Sequence, residues 1–158
     1  MRCPLCKAAE LERRDVSHAL DVDGIEFRGA VEGDGCPACD EALVGHDELR
    51  RFDLLVADVL AQQAERRPER VRFMRRALGL KGVELARLLD VTPETVSRWE
   101  HGAADREMDT RSFALLGAMV ADALCDREDT RKRLEGAVAD LAKVEPLRSP
   151  VCVRSRVA

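Results

Sequence analysis

Two pairs of cysteines near the amino terminus constrain the fold of this chain more than any other feature. The first pair is Cys-Pro-Leu-Cys at residues 3–6, and the second is Cys-Pro-Ala-Cys at residues 36–39. Two thiolates separated by two residues can bind one tetrahedral ion from a tight turn, so two such turns complete a four-cysteine site. The proline after the first cysteine of each pair fixes φ and favours the turn.

The expected ligands of that ion are Cys3, Cys6, Cys36 and Cys39. Because sulfur fills all four positions, none remains for a catalytic water, and the site is expected to be structural. Zinc is the expected ion, one per chain, with iron as the usual competitor. The alternatives are redox-active cysteine pairs or buried thiols, but a thioredoxin-like pair needs a strand–helix–strand context that the sequence lacks. Of the other cysteines, Cys125 is expected in the core and Cys152 is uninformative.

The segment between the cysteine pairs predicts a β-hairpin. Apolar residues alternate with polar ones over residues 16–22 and again in residues 25–31. Asp23-Gly24 separates these runs, and this dipeptide suits a two-residue turn because both of its positions need positive φ. A hairpin here brings the two cysteine pairs together despite the long segment between them.

From about Asp47 onward the apolar residues follow helical spacing. Asp47 is the expected N-cap of the first helix. The predicted apolar face of that helix consists of Leu49, Phe52, Leu55, Val56, Val59 and Leu60. Pro68 stands where a first helical turn tolerates proline and begins a second helix. Further helices are predicted at residues 82–89, 92–101, 109–125 and 129–143, and the tail 146–158 is expected to be loose.

Residues 81–102 have the pattern of a helix-turn-helix. Ala86 is the small residue that allows two helices to approach closely, and Asp90 occupies the turn, where it tolerates the left-handed conformation. Thr92 is the expected N-cap of the second helix, with Pro93 at its first position. Gly102 is expected to end that helix. The expected core residues of the motif are Leu85, Leu89, Val91, Val96 and Trp99.

This arrangement turns one face of the second helix outward, as a recognition helix does toward the DNA major groove. The expected DNA-contacting residues are Arg98, Glu94, Ser97, Thr95, His101, Thr92, Lys81, Arg75 and Arg76. Arg98 is favoured as a base-reading residue because bidentate arginine on guanine is the commonest specific contact. The alternative is an ordinary helical hairpin in which Glu94 and Arg98 form an exposed ion pair. The arginines of residues 66–76 are interpreted as phosphate anchors, as solvated side chains, or as some of each.

The charge distribution separates two parts of the chain. The formal net charge is −4, yet residues 66–101 carry nine bases against five acids, whereas residues 1–65 carry seven bases against fifteen acids. A basic middle suits DNA, and an acidic amino-terminal part suits a basic protein partner. No apolar stretch is long enough for a membrane span, and no signal region or catalytic constellation is found, so a cytoplasmic protein without enzymatic activity is expected.

The stretch from Leu80 to Gly102 resembles the helix-turn-helix of phage repressors (Xre type). Its union with two cysteine turns resembles the MqsA, or YgiT-type, antitoxins of bacterial toxin–antitoxin modules, over roughly residues 1–125. The resemblance implies that the four cysteines bind zinc and that Arg98 reads a base. It also implies that the zinc-bound amino-terminal domain captures the toxin, while the carboxy-terminal domain dimerises and represses its own operon.

Together these patterns predict an α+β protein, with a small four-cysteine, zinc-ribbon-like β module joined to an all-α, phage-repressor-like helix-turn-helix domain with extra carboxy-terminal helices. The expected divisions are a zinc-binding domain with a trailing linker helix (1–66), a DNA-binding domain (67–126), and a last helix with a loose tail (127–158). The expected function is a homodimeric, sequence-specific repressor of operator DNA that is also a type II antitoxin, with a basic ribonuclease as its toxin. The alternative is a stand-alone transcriptional regulator with a structural zinc module and no toxin.

Overall fold

The computed structural model describes residues 1–63, 65–102 and 107–140, and it confirms the predicted α+β class. In these residues a three-stranded antiparallel sheet, in the order β1-β2-β3, precedes six helices. The elements are β1 (Glu12–Val22), β2 (Ile25–Gly35), β3 (Ala42–Val44), α1 (His46–Gln63), α2 (Pro68–Ala77), α3 (Gly82–Leu88), α4 (Pro93–His101), α5 (Thr110–Leu124) and α6 (Asp129–Asp140). The predicted helical residues 141–143, the tail 146–158 and Cys152 lie outside the described residues. Within the described part of the chain, no helix has the length and apolar character needed to cross a bilayer.

The predicted hairpin is present, and its turn lies where the sequence places it. Val22 pairs with Ile25 across Asp23 and Gly24, whose φ values are +58° and +75°. Both turn positions therefore have the positive φ that a two-residue hairpin turn requires. The pairing extends beyond the alternating runs, as far as residue 12 opposite residue 35, and β3 adds a third strand that the sequence pattern did not predict.

Ion pairs connect the turn of the β1–β2 hairpin to the start of α2. The Asp23 carboxylate accepts a hydrogen bond from Arg70 Nε at 2.9 Å and lies 3.1 Å from Arg67 Nε. Arg70 is only 3% exposed, and its guanidinium also pairs with Glu65 at 2.9 Å. Because a buried guanidinium needs partners for its charge, Asp23 holds the sheet and α2 in one arrangement.

Helix α1 differs from its prediction in its first residue and in its buried face. It begins at His46, so Asp47 lies within the first turn and is not the N-cap. Leu55 and Val59, which were predicted to be buried, are 49% and 44% exposed, whereas Leu54 is buried.

Small residues explain this difference, because they set the packing of α1 on both of its sides. A Cβ added to Gly117 of α5 would lie 3.2 Å from the Cβ of Ala61, so α1 and α5 approach closely there. On the side of the sheet, the Phe52 ring lies over Gly29 of β2, where an added Cβ would be 2.7 Å from the ring. The same ring meets His18 edge-on, with ring centroids 4.9 Å apart. The spacing of large apolar residues along the sequence does not reveal contacts that are made at glycine and alanine.

Helices α3 and α4 have the local structure that the sequence predicts for residues 81–102. Asp90 is left-handed in the turn, with φ +52°, and Gly102 ends α4 with φ +66°. The Thr92 side chain caps α4 by accepting a hydrogen bond from the backbone N–H of Thr95 at 3.3 Å. The predicted core residues Leu85, Val96 and Trp99 are buried, and Leu89 and Val91 are partly buried against the same core.

Helix α5 completes this core through the buried side chains of Phe113, Leu116, Met119 and Val120. It ends at Cys125, which is its C-cap and is exposed, so the prediction that this thiol lies in the core is wrong. Because α5 ends before Cys125, the Cys125 thiol does not lie on the buried apolar face of that helix.

Asp109 caps α5 and provides a test of the fold. Its carboxylate accepts hydrogen bonds from the backbone N–H groups of Arg111 and Ser112, both at 3.0 Å. The hydrogen bonds from Ser112 hold the pKa of Asp109 below its usual value. Asp109→Ala is therefore expected to lower the free energy of unfolding by about 1 kcal/mol at neutral pH. Since the folded pKa is lowered, this contribution is present above about pH 4 and is lost as the pH falls further.

Urea unfolding of the wild-type chain and of Asp109→Ala at pH 7 and at pH 3 measures this effect. The difference between the two chains should be smaller at pH 3 than at pH 7. An equal difference at both pH values would contradict a role for the ionised carboxylate.

Candidate metal centre and nucleic-acid interface

The two cysteine pairs form two turns with the same backbone geometry. The carbonyl of Cys3 accepts a hydrogen bond from the N–H of Lys7 at 3.1 Å, and the carbonyl of Cys36 accepts one from the N–H of Asp40 at 3.0 Å. Lys7 and Asp40, the residues that follow each pair, both have a φ of +58°. The sequence analysis did not predict this left-handed conformation, although each of the two residues directly follows the second cysteine of its pair. Each turn therefore presents its two thiols in one direction.

The hairpin brings the four thiols into one cluster, as predicted. The Sγ atoms of Cys3 and Cys39 are 3.8 Å apart, and those of Cys6 and Cys36 are 3.5 Å apart. All four sulfurs lie within 4.8 Å of one another. Tetrahedral zinc with Zn–S bonds of about 2.3 Å places its sulfurs about 3.8 Å apart, so the cluster fits a zinc ion. Cys3 and Cys36 are buried and the other two are exposed, so the cluster lies at the surface of the module.

Backbone amides and the closeness of the thiols determine how these cysteines ionise. The backbone N–H of Cys6 lowers the pKa of Cys3 to about 6. Burial raises the pKa of Cys36, but backbone N–H groups of its own turn outweigh burial and lower it. The N–H of Glu41 lowers the pKa of Cys39, yet burial and the three neighbouring thiols raise it to about 12. Four sulfurs this close therefore do not all ionise unless a cation compensates their charge, as in a metal–thiolate site.

Helix α4 presents a polar face to solvent. Its predicted outward residues Thr92, Glu94, Ser97, Arg98 and His101 are exposed, and Thr95 is half-buried. Val96 and Trp99, on the opposite side, are 1% and 6% exposed. The helix therefore has the one buried face and one exposed polar face of a helix that enters a groove of DNA.

Short-range hydrogen bonds occupy several side chains of this face. The hydroxyls of Thr92 and Thr95 lie 3.1 Å apart within the cap of α4. His101 Nδ1 lies 2.7 Å from the backbone carbonyl of Ser97. Arg98 forms no ion pair with any residue that the structure describes. The guanidinium of Arg98 is therefore available to an external acceptor.

Arg75, a predicted DNA contact, lies away from this face in an ion pair that the sequence did not reveal. Its Nε and Nη2 donate to the two carboxylate oxygens of Glu100 at 2.5 and 2.8 Å, and its Nη1 donates to the Leu80 carbonyl at 2.6 Å. The Arg75 and Glu100 side chains are 12% and 6% exposed. Arg75 therefore fixes α4 against α2. The other two predicted contacts from this region, Arg76 and Lys81, are exposed.

The arginines near the start of α2 also bind to the protein itself. Arg67 and Arg70 contact Asp23 of the hairpin, as described above. Arg66 donates to the carbonyl of Met108 at 3.2 Å and to the hydroxyl of Thr110 at 3.0 Å. Much of the basic character of residues 66–76 therefore serves to join elements of the fold, while Arg72 and Arg76 remain exposed.

Comparison with known protein families gives a match over most of the chain. A family described as the antitoxin component of a bacterial toxin–antitoxin system, MqsA, matches residues 1–117, about three-quarters of the chain. The matched residues include the four clustered cysteines and the whole of α3 and α4. No curated protein and no solved structure matches the chain.

Proposed function

The chain belongs to the MqsA antitoxin family, and we propose from this premise that it is the antitoxin of a toxin–antitoxin pair and also a repressor that binds operator DNA. In this proposal the protein acts in the cytoplasm, has no enzymatic activity, and carries one structural zinc ion per chain on Cys3, Cys6, Cys36 and Cys39. In this proposal, residues 1–66 bind the toxin and residues 67–126 bind DNA, which are the divisions predicted from the sequence.

The exposed face of α4 is the observation that carries the DNA-binding part of the proposal. Arg98 projects from that face without an intramolecular ion pair among the described residues, so it has donors to offer to a guanine. The buried pair of Arg75 and Glu100 holds the helix rigidly behind this face. Since one recognition helix reads only half of a two-fold symmetric site, we propose that the chain binds as a homodimer.

Acidic side chains support the toxin-binding part of the proposal. Residues 1–65 carry fifteen acids against seven bases. Several of these bases are already neutralised locally, since Arg13 lies 2.8 Å from Glu32 and Arg14 lies 2.8 Å from Asp40. Asp23 and Glu65 are paired with arginines near the start of α2. Six other carboxylates are exposed and form no ion pair with any described residue: Glu10, Glu12, Asp15, Asp21, Glu41 and Asp47. Such a surface suits a basic partner such as a ribonuclease toxin.

Replacing Arg98 tests the proposed reading of DNA. Arg98→Ala is expected to lose about 1–3 kcal/mol of discrimination at one base pair, because a bidentate contact with guanine is removed. The experiment first selects a preferred duplex from a randomised library with the wild-type chain. Fluorescence anisotropy then measures the affinity of both chains for that duplex and for each of its single-base-pair variants.

Arg76→Ala is the matched control, since Arg76 is an exposed arginine outside α4. As a phosphate contact, it is expected to weaken binding equally for all sequences and to reduce the slope of log K against log salt by about one. If Arg98→Ala keeps the base preferences of the wild-type chain, Arg98 does not read DNA.

Co-expression tests the antitoxin part of the proposal. The open reading frame adjacent to the gene for this chain is expected to encode a small basic protein that arrests growth when expressed alone. Co-expression of this chain should restore growth, and the two proteins should purify together. If no neighbouring product is toxic or co-purifies, the chain is a stand-alone regulator with a structural zinc module.

A further inference from the structure

Glu94 and Arg98 stand one turn apart on the exposed face of α4 and carry opposite charges. Four residues of an α-helix rise about 6 Å and turn about 40° beyond a full circle, so the two side chains share one face. The rise corresponds to about two base-pair steps of 3.4 Å each. A helix placed in the major groove thus brings both side chains to base pairs that are close neighbours.

The other polar side chains of this face are less suited to reading bases. Thr92 and Thr95 are occupied with the cap of α4, and His101 is turned back onto the carbonyl of Ser97. Ser97 lies 3.4 Å from the same imidazole through its hydroxyl. Glu94 and Arg98 are the two long, charged side chains on this exposed face.

The chemistry of Glu94 restricts which base it can contact. The backbone N–H of Glu94, the hydroxyl of Thr92 and the nearby Arg98 all lower the pKa of Glu94, so it is ionised at neutral pH and only accepts hydrogen bonds. In the major groove, guanine presents two acceptors and thymine presents an acceptor and a methyl group, so both repel a carboxylate or leave it unpaired. Adenine places an acceptor beside its amino donor, whereas cytosine presents the N4 amino donor alone.

We propose that Glu94 is a specificity-determining residue that selects a cytosine within about two base pairs of the guanine contacted by Arg98. The inference rests on the proposed DNA-binding function, which it extends by naming a base and the side chain that reads it. It also accounts for an acidic residue on a surface that faces phosphates, since cytosine alone among the bases offers this carboxylate a donor in the major groove without a neighbouring acceptor.

The competing explanation is that Glu94 only stabilises the amino-terminal turn of α4 through the helix dipole. The chain supplies a matched control for this explanation. Glu69 follows Pro68 in the first turn of α2, in the same way that Glu94 follows Pro93 in the first turn of α4, and both glutamates are exposed. Glu69→Gln therefore removes an equivalent charge from an equivalent helix position outside the recognition helix.

The experiment selects duplexes from a randomised library with four full-length, zinc-loaded chains: wild type, Glu94→Ala, Glu94→Gln and Glu69→Gln. The wild-type chain should prefer cytosine over the other bases about ten-fold at one position. Glu94→Ala should reduce this preference to less than about two-fold. Glu94→Gln should shift it toward adenine, because a glutamine side chain donates and accepts and so pairs with adenine N6 and N7. Glu69→Gln should select the wild-type sequence.

Two outcomes would overturn the inference and are separable from a failure of the proposed function. If Glu94→Ala and Glu94→Gln select the same bases as the wild-type chain, Glu94 does not read DNA, although DNA binding itself stands. If Glu69→Gln changes the selected bases as Glu94→Gln does, the effect comes from helix charge and not from a contact with cytosine. If the wild-type chain enriches no sequence at all, the DNA-binding function fails, and the inference fails with it.

Discussion

Removal of the metal by a chelator is expected to unfold the sheet and both cysteine turns while α2–α5 remain folded. The sheet has little core of its own, since only Val22 and Val31 of its apolar side chains are buried, together with the thiols of Cys3 and Cys36. Structural zinc contributes about 10–16 kcal/mol in zinc-finger peptides, which equals or exceeds the whole stability of a typical domain. Loss of the proposed zinc ion is therefore expected to remove the main stabilising interaction at this end of the molecule.

Cys36→Ser tests this expectation without a chelator, and Cys125→Ser is its control. Both replace one thiol by a hydroxyl, but Cys125 is an exposed residue at the end of α5 and lies outside the cluster. Elemental analysis should find one zinc per chain in the wild-type protein and in Cys125→Ser, and much less in Cys36→Ser. Hydrogen exchange should show lost protection in β1 and β2 of Cys36→Ser only. Full retention of zinc and of amide protection in that variant would remove Cys36 from the ligand set.

Glu100→Ala is expected to lower the free energy of unfolding by about 3–5 kcal/mol. Both side chains of the Arg75–Glu100 pair are almost fully buried, and the carboxylate of Glu100 raises the pKa of Arg75 through its hydrogen bonds. Removing Glu100 leaves a buried guanidinium with the Leu80 carbonyl as its remaining partner, and an uncompensated buried charge is costly. The expected change is a large fraction of the stability of a small domain, and urea unfolding followed by circular dichroism measures it.

Two controls distinguish this pair from ordinary surface charges. Arg131 and Glu135 of α6 also form an ion pair, at 3.0 Å, but both side chains are substantially exposed, so Glu135→Ala should cost less than about 0.5 kcal/mol. The double variant Arg75→Met/Glu100→Leu removes both charges and should recover much of the lost stability, because apolar residues of similar size often replace a buried pair without loss. If Glu100→Ala and Glu135→Ala lower the free energy of unfolding equally, burial of the Arg75–Glu100 pair does not increase its effect on stability.

Local features of the fold were predictable because each depends on a few consecutive residues. Asp23-Gly24 and Asp90 adopt the left-handed conformations that their residue types favour, and Thr92 forms its predicted cap. The clustering of the four cysteines was also predictable, since the hairpin between them returns the chain to its start.

Interactions between distant residues were not predictable from local patterns. Arg70 and Arg75 belong to a basic segment that suggests DNA contacts, yet their acidic partners lie 47 and 25 residues away in the sequence. The face of α1 was misjudged for a similar reason, because Ala61 packs closely against Gly117 of α5, a contact that the periodicity of large apolar residues does not reveal. Residue type alone therefore does not distinguish an arginine that meets DNA from one that holds the protein together.

The turn of the hairpin limits how the sequence can vary at position 23. Asp23 has a φ of +58°, and its carboxylate neutralises the buried guanidinium of Arg70. Glycine accepts this φ but carries no charge, asparagine accepts it but is neutral, and glutamate carries the charge but adopts this φ poorly. Aspartate alone meets both demands, so homologues that keep an arginine at position 70 should keep aspartate at position 23. Where the arginine is replaced by an uncharged residue, asparagine or glycine should become acceptable in the turn.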